Sequence, residues 1–201
     1  MTGAAPASAP GAPPEFGPRK PKRADARRNY EAVVAAAQRA FLRDGAGTSI
    51  DEIARAAGVG SATLYRHFPN RDDLLVAALA ENMAATHRRG TELVSAPRPA
   101  EALRAWLLAM IDQVSTYGDL PGRVLDAAGS RNSALGVTCA SMQEITRTLL
   151  DRAREAGAVR ADVTPEELFD LVSGIAWTVS RNRPEDGGRR LLDLTLGGLA
   201  G

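Results

Sequence analysis

The chain has 201 residues, 44% hydrophobic and 24% charged, with 25 basic and 24 acidic side chains and a formal net charge of +1. That composition supports a buried core in one domain or two small ones. A single cysteine, Cys139, excludes an internal disulfide and a four-cysteine zinc site, two histidines leave little for a His-rich metal centre, and no apolar run approaches the roughly 18 residues of a membrane span.

The near-neutral total hides a split. Residues 1–71 carry 11 basic and 6 acidic side chains, and residues 72–201 carry 14 and 18. A basic front and an acidic back predict that the front meets a polyanion. Residues 1–23 hold six of the 12 prolines and then a basic run, Arg19, Lys20, Lys22 and Arg23. Proline lacks an amide donor and the segment has little to bury, so it reads as a disordered tail. Its basic run fits a minor-groove arm, an electrostatic tether or a solvated linker.

The rest reads as about nine helices and no strand. The first is predicted over about 24–44, with Tyr30, Val33, Val34, Ala37, Ala40 and Phe41 as one stripe, and Gly45 and Gly47 end it. Ser49-Ile50-Asp51-Glu52 has the pattern of a capping box and opens a short second helix. Gly58-Val59-Gly60 makes a tight turn into a third, Ser61 to Phe68, which Pro69 stops. Asn70 caps a fourth helix carrying Leu74, Leu75, Ala78, Leu79 and Met83. The back half continues with a helix from Pro99, a short one near Asp119 and Pro121, a long one over about 133–155, one opened by the capping box Thr164-Pro165-Glu166-Glu167, and a last one holding Leu191, Leu192, Leu194, Leu196 and Leu199.

Two short helices joined by a glycine-containing turn form a helix-turn-helix, whose second helix enters the major groove. The outward positions of the third helix are Ser61, Ala62, Thr63, Arg66 and His67, short polar groups and a methyl with one long cation, which suit base edges and phosphates. No acidic residue lies between Gly58 and Arg71, where phosphate would repel it. The enzyme signatures are missing: Gly45-Ala46-Gly47 and Gly58-Val59-Gly60 lack the third glycine of a dinucleotide fingerprint, and there is no phosphate loop or nucleophile elbow. The expectation is no catalysis, no cofactor and no metal.

From Tyr30 to Leu79 the sequence resembles the TetR family of bacterial transcriptional regulators. The residues that carry the likeness are Phe41, Gly45, Thr48 to Ala54, Ala57-Gly58-Val59, Thr63 to Phe68 and Asn70 to Leu74. The lone cysteine fits a reducing cytoplasm. The resemblance implies an all-α homodimeric, ligand-responsive repressor of a palindromic operator, with a helix-turn-helix DNA-binding domain over 24–70 and a helical ligand-binding and dimerisation domain over 71–201. It implies double-stranded operator DNA and an unidentified small-molecule effector as partners, and no membrane. On the same basis Thr48 touches phosphate, Ser61, Ala62, Thr63 and Arg66 face the groove, and Tyr65 and His67 meet the backbone. Arg71 stands where the family often has a phosphate-binding lysine. Arg27 and Arg28 add cations on the first helix. Gly60 and Ala62 depart from the family, which often has serine and glycine there.

Trp106, Met110, Tyr117, Met142 and Trp177 are candidate ligand-pocket residues, each equally readable as core. The helix from Pro165 is apolar over more than one face, so Leu171, Gly174 and Ile175, with Leu191 and Leu194 of the last helix, are candidates for a four-helix dimer interface. Repression and activation both fit the sequence. Two other readings compete: a helical small-molecule-binding protein or enzyme that uses the back cavity, and a non-specific DNA-coating protein driven by the basic tail.

Overall fold

A computed structural model describes residue 16 and residues 18–117, 119–128, 133–182 and 186–199. The described residues form nine α-helices and no strand. They are α1 (Ala24–Asp44), α2 (Ile50–Ala56), α3 (Ser61–His67), α4 (Arg71–Val94), α5 (Pro99–Ser115), α6 (Leu120–Ala128), α7 (Ala134–Glu155), α8 (Pro165–Asn182) and α9 (Gly187–Leu199). The expected disordered tail lies largely outside the described residues, but its last part is not loose. Phe16 packs edge-on to His87 of α4 with ring centroids 6.3 Å apart, and the Tyr30 hydroxyl donates to the Pro18 carbonyl at 3.2 Å. An aromatic ring with a buried surface to cover outweighs the local proline signal.

The helix boundaries follow from local chemistry. The Asn70 side chain accepts from the Asp73 amide, and Ser133 accepts from the Gly136 amide. Thr164 forms its capping box in both directions: its amide donates to Glu167 Oε2 at 2.7 Å, and the Glu167 amide donates to the Thr164 hydroxyl at 3.2 Å. Those bonds also hold the Glu167 carboxyl below its usual range. The box expected at Ser49 does not form; Ser49 is the N-cap of α2 but makes no side-chain cap bond. Its neighbour explains the difference. The Thr48 amide bonds to the Gly45 carbonyl and the Thr48 carbonyl is held by Arg71, so contacts outside the helix set the backbone there.

Helices α1, α2 and α3 pack together as one group and α1 joins them to α4; in a second group α5 and α7 pack on α4, and α6, α8 and α9 pack on α5, α7 and one another. Ile53, Leu64 and Phe68 are fully buried in the first group, and Trp106, Leu107, Ile111 and Ile145 in the second. The Trp106 ring N–H donates to the Thr146 hydroxyl at 2.8 Å, so the largest buried side chain leaves no polar atom unmet. Helices α4, α5 and α7 meet at Gly90. A Cβ built there would lie 2.5 Å from Trp106 Cζ3 and 2.9 Å from Ile145 Cγ2. Overpacking of this kind costs about 1–3 kcal/mol. Gly90→Ala is therefore expected to lower the urea midpoint while leaving the slope of the denaturation curve unchanged. An unaltered midpoint would show that the three helices do not meet this closely.

Candidate functional site

Two short helices and a turn build the first part of the site. Gly58 has φ +70°, a left-handed conformation that side-chain-bearing residues resist, so the chain turns here. The Val59 amide bonds back to the Ala54 carbonyl at 3.1 Å, and Gly60 begins α3. Leu64 and Phe68 point into the core with Ile53, and Tyr30 stacks on Phe68 with centroids 4.9 Å apart. Tyr30 also meets His67 edge-on at 6.1 Å, which sets α1 beside the end of α3.

The opposite face of α3 presents Ala62, Tyr65 and Arg66 to solvent at one-turn spacing, and Tyr65 is 48% exposed despite its ring. Thr63 and His67 flank them, half-buried. Arg27 and Arg28 are exposed on the first turns of α1, where Arg28 pairs with Asp25. Ser61 is turned sideways: its hydroxyl donates to Asp51 Oδ1 at 2.7 Å and ties the start of α3 to α2.

Thr48 and Arg71 are placed differently from the expectation that they meet phosphate. Thr48 is buried, and its hydroxyl donates to the Gly45 carbonyl at 2.8 Å. Arg71 Nη1 donates to the carbonyls of Ala46 and Thr48 at 2.8 and 2.7 Å. Both groups secure the loop between α1 and α2. A sequence shows the charge of Arg71 but not the unpaired carbonyls that claim it.

The same loop is gripped from the other side. The Gly47 amide donates to Asp119 Oδ1 at 2.7 Å, and the Ala46 amide to the Tyr117 carbonyl at 3.2 Å. Arg123 of α6 pairs with Asp72 of α4 at 2.5 Å, both side chains only part-exposed. Tyr117, Asp119 and Arg123 thus fasten the first helices to the rest of the molecule, a role their sequence did not announce.

Two spaces adjoin this fastening. An inner apolar cavity of about 40 Å³ is lined by Met83, Met110, Leu120, Val124, Met142 and Phe169, among others. An outer groove of about 590 Å³ runs between α4 and α5 and includes Tyr117. Of the candidate pocket residues, Met110 and Met142 line the cavity and Tyr117 the groove, where its hydroxyl accepts from Asn82 at 2.6 Å. Trp106 lines neither and is core. Trp177 is 50% exposed on α8, with Arg181 over its ring at 5.1 Å, and lines neither space. Cys139 also lines the cavity, and burial first, with the nearby Asp72 charge second, pushes its thiol up to about 12. The thiolate is therefore scarce and the residue behaves as a small hydrophobe.

The candidate interface residues divide. Gly174 and Leu194 are exposed, Leu194 by 66%, and Leu171 and Leu191 lie half-buried at the edge of that surface. Ile175 faces the interior.

The described residues hold no cluster of metal-ligating side chains, and no helix is long and apolar enough to cross a membrane. Residues 33–78 match the bacterial regulatory protein family tetR, and residues 98–201 match the C-terminal domain of SbtR-like transcriptional regulators. A solved TetR transcriptional regulator from Streptomyces coelicolor is 36% identical, over 85% of this chain and 97% of that one, with a TM-score of 0.56. The chain belongs to the TetR family. Other TetR-fold structures are more distant in sequence. A ketosteroid transcriptional regulator of Mycobacterium tuberculosis is 22% identical over 91% of this chain and 100% of its own, with a TM-score of 0.58. A fatty acid degradation regulator from Bacillus halodurans is 20% identical over 85% and 99%, with a TM-score of 0.60. Comparison with curated proteins gave no match. This TetR-family chain is thus a transcriptional regulator with a helix-turn-helix DNA-binding unit, α2 and α3.

The grip on the α1–α2 loop has a direct readout. In Asp119→Ala the Gly47 amide loses its acceptor, and its hydrogen exchange is expected to accelerate at least tenfold while amides in the middle of α7 are unchanged. Equal protection in both proteins would show that Asp119 does not hold the loop.

Proposed function

We propose that the chain is a ligand-responsive repressor that acts in the cytoplasm and binds a palindromic operator as a homodimer. The observation that carries the reading is that one segment does two jobs. Tyr117 and Asp119 hold the α1–α2 loop, and Tyr117, Leu120 and Val124 line the groove or the cavity. A ligand that displaces α6 must therefore also move the segment that positions α1, α2 and α3. A ligand shifts an equilibrium only by its differential affinity for the two states, and by linkage the operator then weakens the ligand by the same factor.

One α3 covers a short half-site. Two of them, about 34–36 Å apart, match successive turns of one DNA face. We place Ala62, Thr63 and Arg66 at base edges, with Tyr65, His67, Arg27 and Arg28 at the phosphates. Ser61 is proposed to reach the groove from its bond to Asp51. Thr48 and Arg71 support this surface from behind by fixing the loop. The dimer is proposed to form through α8 and α9, where Gly174, Trp177 and Leu194 are exposed among the described residues. The small Gly174 permits close approach to the copy, and Leu171 and Leu191 complete the edge.

Two experiments test the reading. Arg66→Ala is expected to lower operator affinity by about 1–3 kcal/mol and relax specificity at one base position, without changing the melting temperature. Equal binding of operator and random duplex by the unaltered protein would refute sequence-specific recognition. For the dimer, Leu194→Asp is expected to sediment as a monomer at concentrations where the unaltered chain is a dimer. A Leu194→Asp protein that stays dimeric would place the interface elsewhere.

A further inference from the structure

The inner cavity and the outer groove share a wall, because Thr86 and Gln113 line both. The two spaces differ in size and chemistry. Small-molecule sites commonly occupy about 300–1,000 Å³, so the groove is large enough for a whole ligand and the cavity is not. The cavity's 40 Å³ compares with the roughly 30 Å³ that one water takes in the liquid, room for an apolar end and no more.

The polar groups indicate what the rest of the ligand carries. Gln113 Oε1 is buried with no hydrogen-bond partner. An acceptor left in that state is unfavourable, and a donor arriving through the groove would relieve it. Three guanidinium groups line the groove: Arg89, Arg104 and Arg189. Arg104 is committed to Asp193 by two bonds of 2.6 and 2.8 Å, which hold that carboxyl below its usual range. Arg89 and Arg189 are exposed; Asp112 shares the groove lining with them, and Arg189 also lies near enough to Asp193 to help lower its carboxyl. A guanidinium presents paired N–H donors that match a carboxylate, so the groove favours an anion.

We propose that this two-chamber site takes a small anionic amphiphile: a carboxylate head at Arg89 and Arg189, a hydroxyl donating to Gln113 Oε1, and a short apolar end entering the inner cavity. The proposal rests on the ligand-responsive reading above and narrows it to a class. Size provides the signal. An end of about two to four carbons outgrows the free space and presses on Leu120 and Val124, the α6 residues next to the clasp. A long acyl chain has no room, and a cation meets the arginines. A neutral ester loses the contact with the head.

Isothermal titration of the full-length chain against 3-hydroxy acids of five to seven carbons, 3-hydroxypentanoate among them, tests this. At least one acid is expected to bind. Its methyl ester and the Arg89→Ala and Gln113→Leu variants should each weaken binding at least tenfold. Arg89 is exposed, so that variant should melt with the unaltered protein. Saturating acid is also expected to slow alkylation of Cys139, which lines the inner cavity. Failure of every acid to bind, equal binding of acid and ester, or full affinity in Arg89→Ala would overturn the proposal. An uncharged compound that releases operator DNA with Arg89→Ala behaving normally would overturn the anionic class and leave the ligand-responsive reading intact. Operator binding insensitive to a broad compound library would instead refute that reading.

Discussion

The structure depends on a short loop being held from two directions. The chain between α1 and α2 has little secondary structure of its own, and its polar backbone must be satisfied by others. Arg71 supplies donors to the carbonyls of Ala46 and Thr48, while Asp119 and the Tyr117 carbonyl accept from the amides of Gly47 and Ala46. One charged group gives and another takes, so both partners on the loop are charge-assisted and their geometry is demanding. That grip adds to the apolar packing of α1 on α4 in orienting α1, α2 and α3 relative to the other helices. Gln38 also donates to the Ala78 carbonyl at 2.9 Å.

This arrangement places structural support and communication in the same atoms. Asp119 lies one residue before α6, and α6 closes the small cavity with Leu120 and Val124. A close-packed interior transmits a displacement without absorbing it. The Arg123–Asp72 pair links α6 to the first turn of α4, so any shift of α6 is shared with the helix that follows the helix-turn-helix. Two further contacts add to these ties: Phe16 packs on His87 of α4, and the Tyr30 hydroxyl of α1 donates to the Pro18 carbonyl.

Much of the fold was legible because it is local. Helix periodicity, Asn70, Pro165, the glycine turn and the Thr164 box all act within a few residues, and each appears at its expected place. The Ser49 box failed where neighbours fixed the backbone through bonds to Gly45 and Arg71, partners the pattern does not contain. The site was legible by face and not by partner. Ala62 and Arg66 could be assigned to an exposed surface from helical spacing, whereas Tyr65 reads as an apolar position of its helix and only the family resemblance placed it outward. Thr48 and Arg71 could not be placed, because carbonyls close to them in space claim their donors. Trp177 illustrates the same limit, since an aromatic ring at helical spacing fits a cavity, a core or an outer face equally well. Gln113 and Asp119 carried no sequence signal, because one is singled out by a missing partner and the other by a loop 72 positions away.

The central claim is that the clasp at Asp119 fixes the spacing of the two recognition helices in the proposed dimer. Its most direct test is a pulsed electron spin resonance distance between labels at Ala56→Cys in both protomers, an exposed position of α2 outside the proposed DNA contacts, with Cys139→Ser as background. The account predicts one narrow distribution when operator is bound. It further predicts a broad distribution in the DNA-free Asp119→Ala protein, where the DNA-free parent is narrow. Identical distributions in the DNA-free parent and variant would contradict it.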